Sequence, residues 1–121
     1  MNIQGNTLVK GVDEPHVVIP EGVEIIGEGA FLGYSRLTSV EFPSTLTSIG
    51  RYAFYESGLT SVELPSSLTS IGFRAFCNCP GLTSATFPEG LTSIGGNAFG
   101  LCTGITSVTF PEGLTSIGDC A

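Results

Sequence analysis

Apolar residues recur along this chain in two alternating spacings. The first is Leu37-x-x-Val40-x-Phe42, which returns as Leu59-x-x-Val62-x-Leu64, Leu82-x-x-Ala85-x-Phe87 and Ile105-x-x-Val108-x-Phe110. Its second half has a period of two, which turns Val40 and Phe42 inward and Ser39 and Glu41 outward, the pattern of a half-buried strand. A proline follows each time (Pro43, Pro65, Pro88 and Pro111), and its missing N–H and fixed φ end the strand and start a turn. A second apolar pair comes next, Leu46 and Ile49, with its equivalents Leu68 and Ile71, Leu91 and Ile94, and Leu114 and Ile117. Gly50, Gly72, Gly95 and Gly118 close these pairs. The spacing predicts a second short extended segment on the opposite wall of a coil. An Ala-Phe pair follows, as Ala30-Phe31, Ala53-Phe54, Ala75-Phe76 and Ala98-Phe99. There a small residue lets coils approach and a phenylalanine fills the wide part of the core, and a short helical or 3₁₀ turn is expected.

The prolines Pro20, Pro43, Pro65, Pro88 and Pro111 measure the period, with steps of 23, 22, 23 and 23 residues. A repeat of this length with leucines in fixed phase cannot bury its apolar face alone and must stack on its neighbours. The predicted fold class is therefore an α/β leucine-rich-repeat solenoid of 22–23-residue coils, mostly short β-strands with short helical or 3₁₀ turns. Residues 1–19 read as an N-terminal β cap, with short strands at Thr7–Lys10 and Val17–Ile19. Residues 20–121 read as the repeat array, four full units and a truncated fifth. Aligning Val17-Val18-Ile19-Pro20 with Val40-Glu41-Phe42-Pro43 puts His16 in the column of Ser39. The fifth unit stops one residue before its phenylalanine, and the expectation is a fragment of a longer array.

Charge removes several partner classes. The 121 residues carry 11 acids against four bases, a net charge of −7, and the bases Lys10, Arg36, Arg51 and Arg74 are scattered. That is not the footprint of a nucleic-acid or anionic-membrane binder. No apolar run approaches the roughly 18 residues of a membrane span, so membrane insertion is not expected.

Candidate chemistry is sparse. His16 is the single histidine, Asp13 and Asp119 sit at opposite ends, and no nucleophile, base and orienting carboxylate come together by this reading. Neither G-x-G-x-x-G after a strand nor a P-loop occurs, so no enzyme and no cofactor are expected. Cys79 and Cys102 each follow a unit's phenylalanine by three residues, in the column of Tyr34 and Ser57. They are expected as free, inaccessible thiols, with Cys120 exposed. Cys77-Asn78-Cys79 lacks the spacing of a zinc site, and Glu41 with Glu63 offers too few oxygens for calcium, so no metal is expected. The threonine column Thr47, Thr69, Thr92 and Thr115 would suit an ice-binding face but equally an exposed, soluble strand, and the second reading is preferred.

What remains is a surface. On the concave sheet the outward columns hold His16, Ser39, Glu41, Ser61, Glu63, Ser84, Thr86, Ser107 and Thr109. This polar strip is acidic toward its N-terminal half and suited to receive a protein or a glycan through hydrogen bonds.

The recurring LTSIG, AF, C and LTSV-x-F-P blocks from about residue 17 to 121 resemble the BspA-like leucine-rich repeats. That resemblance implies a bacterial cell-surface or secreted protein, an adhesin binding host or extracellular-matrix protein without catalysis. The competing expectation is a structural spacer or stalk for another domain. An open apolar C-terminal end also leads us to expect weak self-association, most simply as a two-fold dimer.

Overall fold

Backbone hydrogen bonds in this chain run mostly from coil to coil. The computed structural model describes residues 1–106 and 108–121 and shows a leucine-rich-repeat β-solenoid of about four turns. Its strands are β1 (Asn2–Gln4), β2 (Thr7–Lys10), β3 (His16–Val18), β4 (Ile25–Ile26), β5 (Ser39–Glu41), β6 (Ser48–Ile49), β7 (Ser61–Glu63), β8 (Ser70–Ile71), β9 (Ser84–Thr86), β10 (Ser93–Ile94) and β11 (Ser116–Ile117). A seven-stranded sheet runs β1-β2-β4-β6-β8-β10-β11, antiparallel between β1 and β2 and parallel thereafter. Its register is set by one isoleucine per coil, Ile26 opposite Ile49, Ile49 opposite Ile71 and Ile71 opposite Ile94.

The continuous sheet is thus built from the second apolar pair, on two-residue strands. Among the described residues the longer LTSV-type strands form two separate pairs, β3 with β5 and β7 with β9. The interruption coincides with the one short unit, where Leu59 follows Phe54 by five positions rather than six. Thr60 still donates its N–H to the Thr38 carbonyl at 3.1 Å, but the regular ladder between β5 and β7 is absent.

The expected helical or 3₁₀ turns are corrected: among the described residues no helix forms. Around the Ala-Phe pairs the backbone N–H groups alternate in destination. Phe31, Phe54 and Phe76 each donate across to the next coil at 2.7 Å, to Ala53, Ala75 and Ala98. The residues between them close local turns, as Ala30 to Gly27 and Ala53 to Gly50. A 3₁₀ helix needs every N–H for itself, so coil stacking takes away half of its bonds. The turns also require positive φ at two columns. Gly29 and Gly33 occupy these in the first unit, but Tyr52, Glu56, Arg74, Asn78, Asn97, Leu101 and Cys120 do so later, at φ between 53° and 58°.

The core follows the predicted columns. Leu46, Leu68, Leu91, Ala53, Phe54, Ala75 and Phe76 are fully buried. Phe31, Phe54, Phe76 and Phe99 stack as a single column of rings. Coils approach so closely that a Cβ on Gly72 would stand 2.8 Å from the Arg51 nitrogen, which accounts for the glycine closing each pair. The threonine columns lock the same stack: Thr69, Thr92 and Thr115 each donate a hydroxyl to the threonine carbonyl one coil back, at 3.0–3.1 Å.

Candidate functional site

The strip expected from the outward columns is largely present. β3 carries His16, β5 carries Ser39 and Glu41, β7 carries Ser61 and Glu63, and β9 carries Ser84 and Thr86. His16 faces Ser39, Ser61 faces Ser84 and Glu63 faces Thr86 in register. All are exposed except Ser39, which is half-buried. Thr109 is exposed outside any strand, and Ser107 lies outside the described residues. Glu41 and Glu63 overlook an open groove whose walls include Phe42, Leu64 and Pro65.

One local arrangement overturns an expectation. His16, Ser39 and Glu41 form a hydrogen-bonded trio, with Nε2 of His16 2.8 Å from the Glu41 carboxylate and Nδ1 paired with the Ser39 hydroxyl. The sequence reading put Glu41 on the outward strip but set only the distant aspartates beside His16 as orienting carboxylates, and did not join Glu41 to it. The 23-residue step that stacks His16 on Ser39, plus the period of two that puts Glu41 on the same face, was the available signal. Chemically the trio is a bridge between coils. His16 is 51% and Glu41 65% exposed, so water competes for every group, and such surface pairs are worth at most about 1 kcal/mol. Hydrolysis would need donors aimed at an oxyanion in a water-excluded site, and this open strand face supplies no such enclosure.

The thiols form a buried group. Cys77, Cys79 and Cys102 are buried and Cys120 exposed, all four unbridged. Cys79 lies 3.4 Å from the Ser57 hydroxyl, and Cys102 donates to the Phe76 carbonyl at 3.0 Å. The neighbouring Cys102 thiol, with Ser57, pulls Cys79 down to about 7 against the cost of burial. Hydrogen bonding with Cys79, together with burial, pushes Cys102 well above the ordinary thiol range. Burial also raises Cys77, with Arg74 opposing. Among the described residues no group of three or more His, Cys, Asp or Glu side chains converges on a metal position.

At the C-terminal end an apolar cavity of about 190 Å³ is lined by Phe87, Phe99, Ile105, Phe110 and their neighbours. Val108 and Phe110, expected to point inward, are 45% and 47% exposed because their layer has a coil on one side only.

These geometries agree with known repeat proteins. A model of the BspA type leucine rich repeat region matches residues 5–121 as six copies. The chain belongs to the BspA-type leucine-rich-repeat family. Among solved structures, this BspA-type chain is similar to the T. pallidum leucine-rich-repeat protein, with 30% identity and a TM-score of 0.92 over 94% of this chain and 56% of that one. It is also similar to a leucine-rich-repeat protein from Bacteroides ovatus (31% identity, TM-score 0.82, 88% of this chain and 28% of that one). A leucine-rich cell surface protein from Faecalibacterium prausnitzii matches at 27% identity and a TM-score of 0.63, over 86% of this chain and 37% of that one. The chain spans from just over a quarter to just over half of these relatives. No curated protein matches it. Membership suggests a protein-interaction module, on a fold that is typically non-catalytic.

Proposed function

We propose that this BspA-type chain is a non-catalytic protein-binding module of a cell-surface or secreted adhesin, and that its partner is a host or extracellular-matrix protein. The observation that carries this reading is the outward strip on β3, β5, β7 and β9. Its polar side chains are in register over two strand pairs, with carboxylates beside an apolar-walled groove at Glu41 and Glu63. The similarity to a leucine-rich cell surface protein supports the location. Binding residues are His16, Ser39, Glu41, Ser61, Glu63, Ser84, Thr86, Ser107 and Thr109. Residues 1–19 act as the N-terminal cap and 20–121 as the array; the antiparallel β1 supports a cap at this end of the stack, while β2 and β3 already pair in parallel with β4 and β5.

An array of purified extracellular-matrix proteins beside an array of glycans tests the partner class. Saturable binding to a matrix protein is expected. Binding to glycans alone would move the partner to carbohydrate, and binding to neither would favour a spacer role.

A further inference from the structure

Two of the four basic residues of this acidic chain meet on one aromatic ridge, away from the polar strip. Two guanidinium groups lie against the Phe73 ring, with Arg51 Cζ 5.6 Å and Arg74 Cζ 5.0 Å from its centroid. Tyr52 meets the same ring edge-on at 5.8 Å, and Tyr55 meets Tyr52 at 5.4 Å. The column arithmetic explains the meeting. Arg51 and Phe73 share one column and Tyr52 and Arg74 the next, so a 22-residue step brings both arginines to the one ring. Tyr52 and Arg74 both take the left-handed turn conformation, at φ 58° and 54°. Their side chains are thereby presented from a backbone already fixed by cross-coil hydrogen bonds.

Neither guanidinium is spent within the chain. Among the described residues the one ion pair is His16 with Glu41, so Glu28, one coil before Arg51 in its column, leaves it unpaired. Glu56 instead accepts from Asn78, at 3.2 Å. The Arg74 Nε–H is buried without any hydrogen-bond partner and lies out of a ligand's reach, whereas the two terminal nitrogens are unpaired and not buried, and these are the atoms onto which a carboxylate can fork. A guanidinium lying on a ring keeps its in-plane N–H groups for such a fork. Arginine and tyrosine are also the side chains most enriched where protein partners are held tightly.

We infer that the Arg51–Phe73–Arg74 ridge, with Tyr52 and Tyr55, is a second docking site, whose ligand is a short acidic segment of a partner protein. The ridge offers two cations and apolar ring surface, which fits one or two carboxylates beside an apolar side chain. An extended polyanion fits poorly, because a net charge of −7 surrounds so small a positive patch. This inference does not depend on the polar strip binding anything.

The probe is the acetylated, amidated tetrapeptide Glu-Leu-Glu-Leu, titrated into ¹⁵N-labelled protein at 0.15 M salt, with the arginine Nε–H resonances as readout. Saturable shifts at Arg51 and Arg74 are expected, at least about tenfold weaker for the Gln-Leu-Gln-Leu peptide, since charge-assisted hydrogen bonds are lost. The double variant Arg51→Gln with Arg74→Gln, read by the backbone amides of residues 51–55 and 73–74, should lose the peptide-induced shifts while its remaining amide spectrum is kept. Equal binding of the two peptides overturns the inference, as does peptide binding that survives the double variant. Shifts produced by a sulfated oligosaccharide but by neither peptide overturn it as well. The peptide comparison is made on the unaltered protein, so a variant that failed to fold would leave the test intact.

Discussion

The rings of Phe54 and Phe76 lie 5.1 Å apart and within 2° of parallel. Isolated aromatic pairs favour offset or edge-to-face packing, but here the backbone decides. Coils joined by strand-like hydrogen bonds sit roughly 4.8 Å apart, so identical residues in one column must stack. The edge-on contacts come from another column instead, with Phe42 against Phe54 at 86° and Phe87 against Phe99 at 89°. The ring column therefore gains from burial, and each ring supports the coil on either side.

Phe76→Ala should accordingly cost about 3–5 kcal/mol, as for other buried aromatics. Denaturant titration measures it. A loss below about 1 kcal/mol, small for a core truncation, would remove the ring column from the account of stability.

A substitution on the turns should act the other way. Leu101 holds φ 58° while its side chain is 67% exposed, so it bears left-handed backbone strain with little packing in return. Leu101→Gly is expected to stabilise the chain by about 1 kcal/mol, the usual cost of this conformation outside glycine. An unchanged or lowered denaturation midpoint would contradict the strain.

The thiols predict a pH dependence. Cys102 and Cys77 hold their protons above the ordinary range. Above an unfolded thiol pKa of roughly 8.5, the unfolded chain thus binds fewer protons than the native one, and stability falls with rising pH. Cys79, lowered to about 7, acts oppositely, adding stability as pH rises from about 7 to the unfolded value. Under reducing conditions the denaturation midpoint should pass through a maximum in the mildly alkaline range, and Cys102→Ala should flatten its alkaline side. A midpoint constant from neutral to strongly alkaline pH would contradict these assignments. At neutral pH a thiol reagent should label Cys120 quickly and Cys79 only on unfolding, in line with their exposure.

For the 121-residue chain by itself we propose weak two-fold self-association through its apolar C-terminal layer. Val108 and Phe110, 45% and 47% exposed, line the cavity with Phe99 and Ile105, and Ile117 on β11 is 51% exposed. Sedimentation equilibrium should show concentration-dependent association that Phe110→Glu abolishes. A strictly monomeric chain at high concentration would contradict it.

Much of this fold was legible because it depends on columns. Leu46, Phe54 and Gly72 show in their spacing that they stack, and burial, ring contacts and close backbone approach follow from that alone. The Ala-Phe turns were misread as helical because single-chain periodicity does not show that Phe54 spends its N–H on Ala75 of another coil. The division of the LTSV-type strands into two pairs was also missed, although the shortened spacing from Phe54 to Leu59 was visible. At the strip, His16 and Ser39 were placed in one column but not connected to Glu41, since side-chain hydrogen bonding across coils requires coordinates. The Arg51–Phe73–Arg74 ridge was hidden for a similar reason: bases scattered along the sequence are neighbours only in the stack.

The central claim is that the outward columns of β3, β5, β7 and β9 form the binding surface. Its most direct test is affinity for a captured matrix protein, compared between Glu41→Lys with Glu63→Lys on the strip and Thr69→Lys with Thr92→Lys immediately before β8 and β10, beside the seven-stranded sheet. Loss of binding by the strip variant, with the sheet variant retaining it and both folded, is the predicted result. Retention by the strip variant and loss by the sheet variant would contradict the claim.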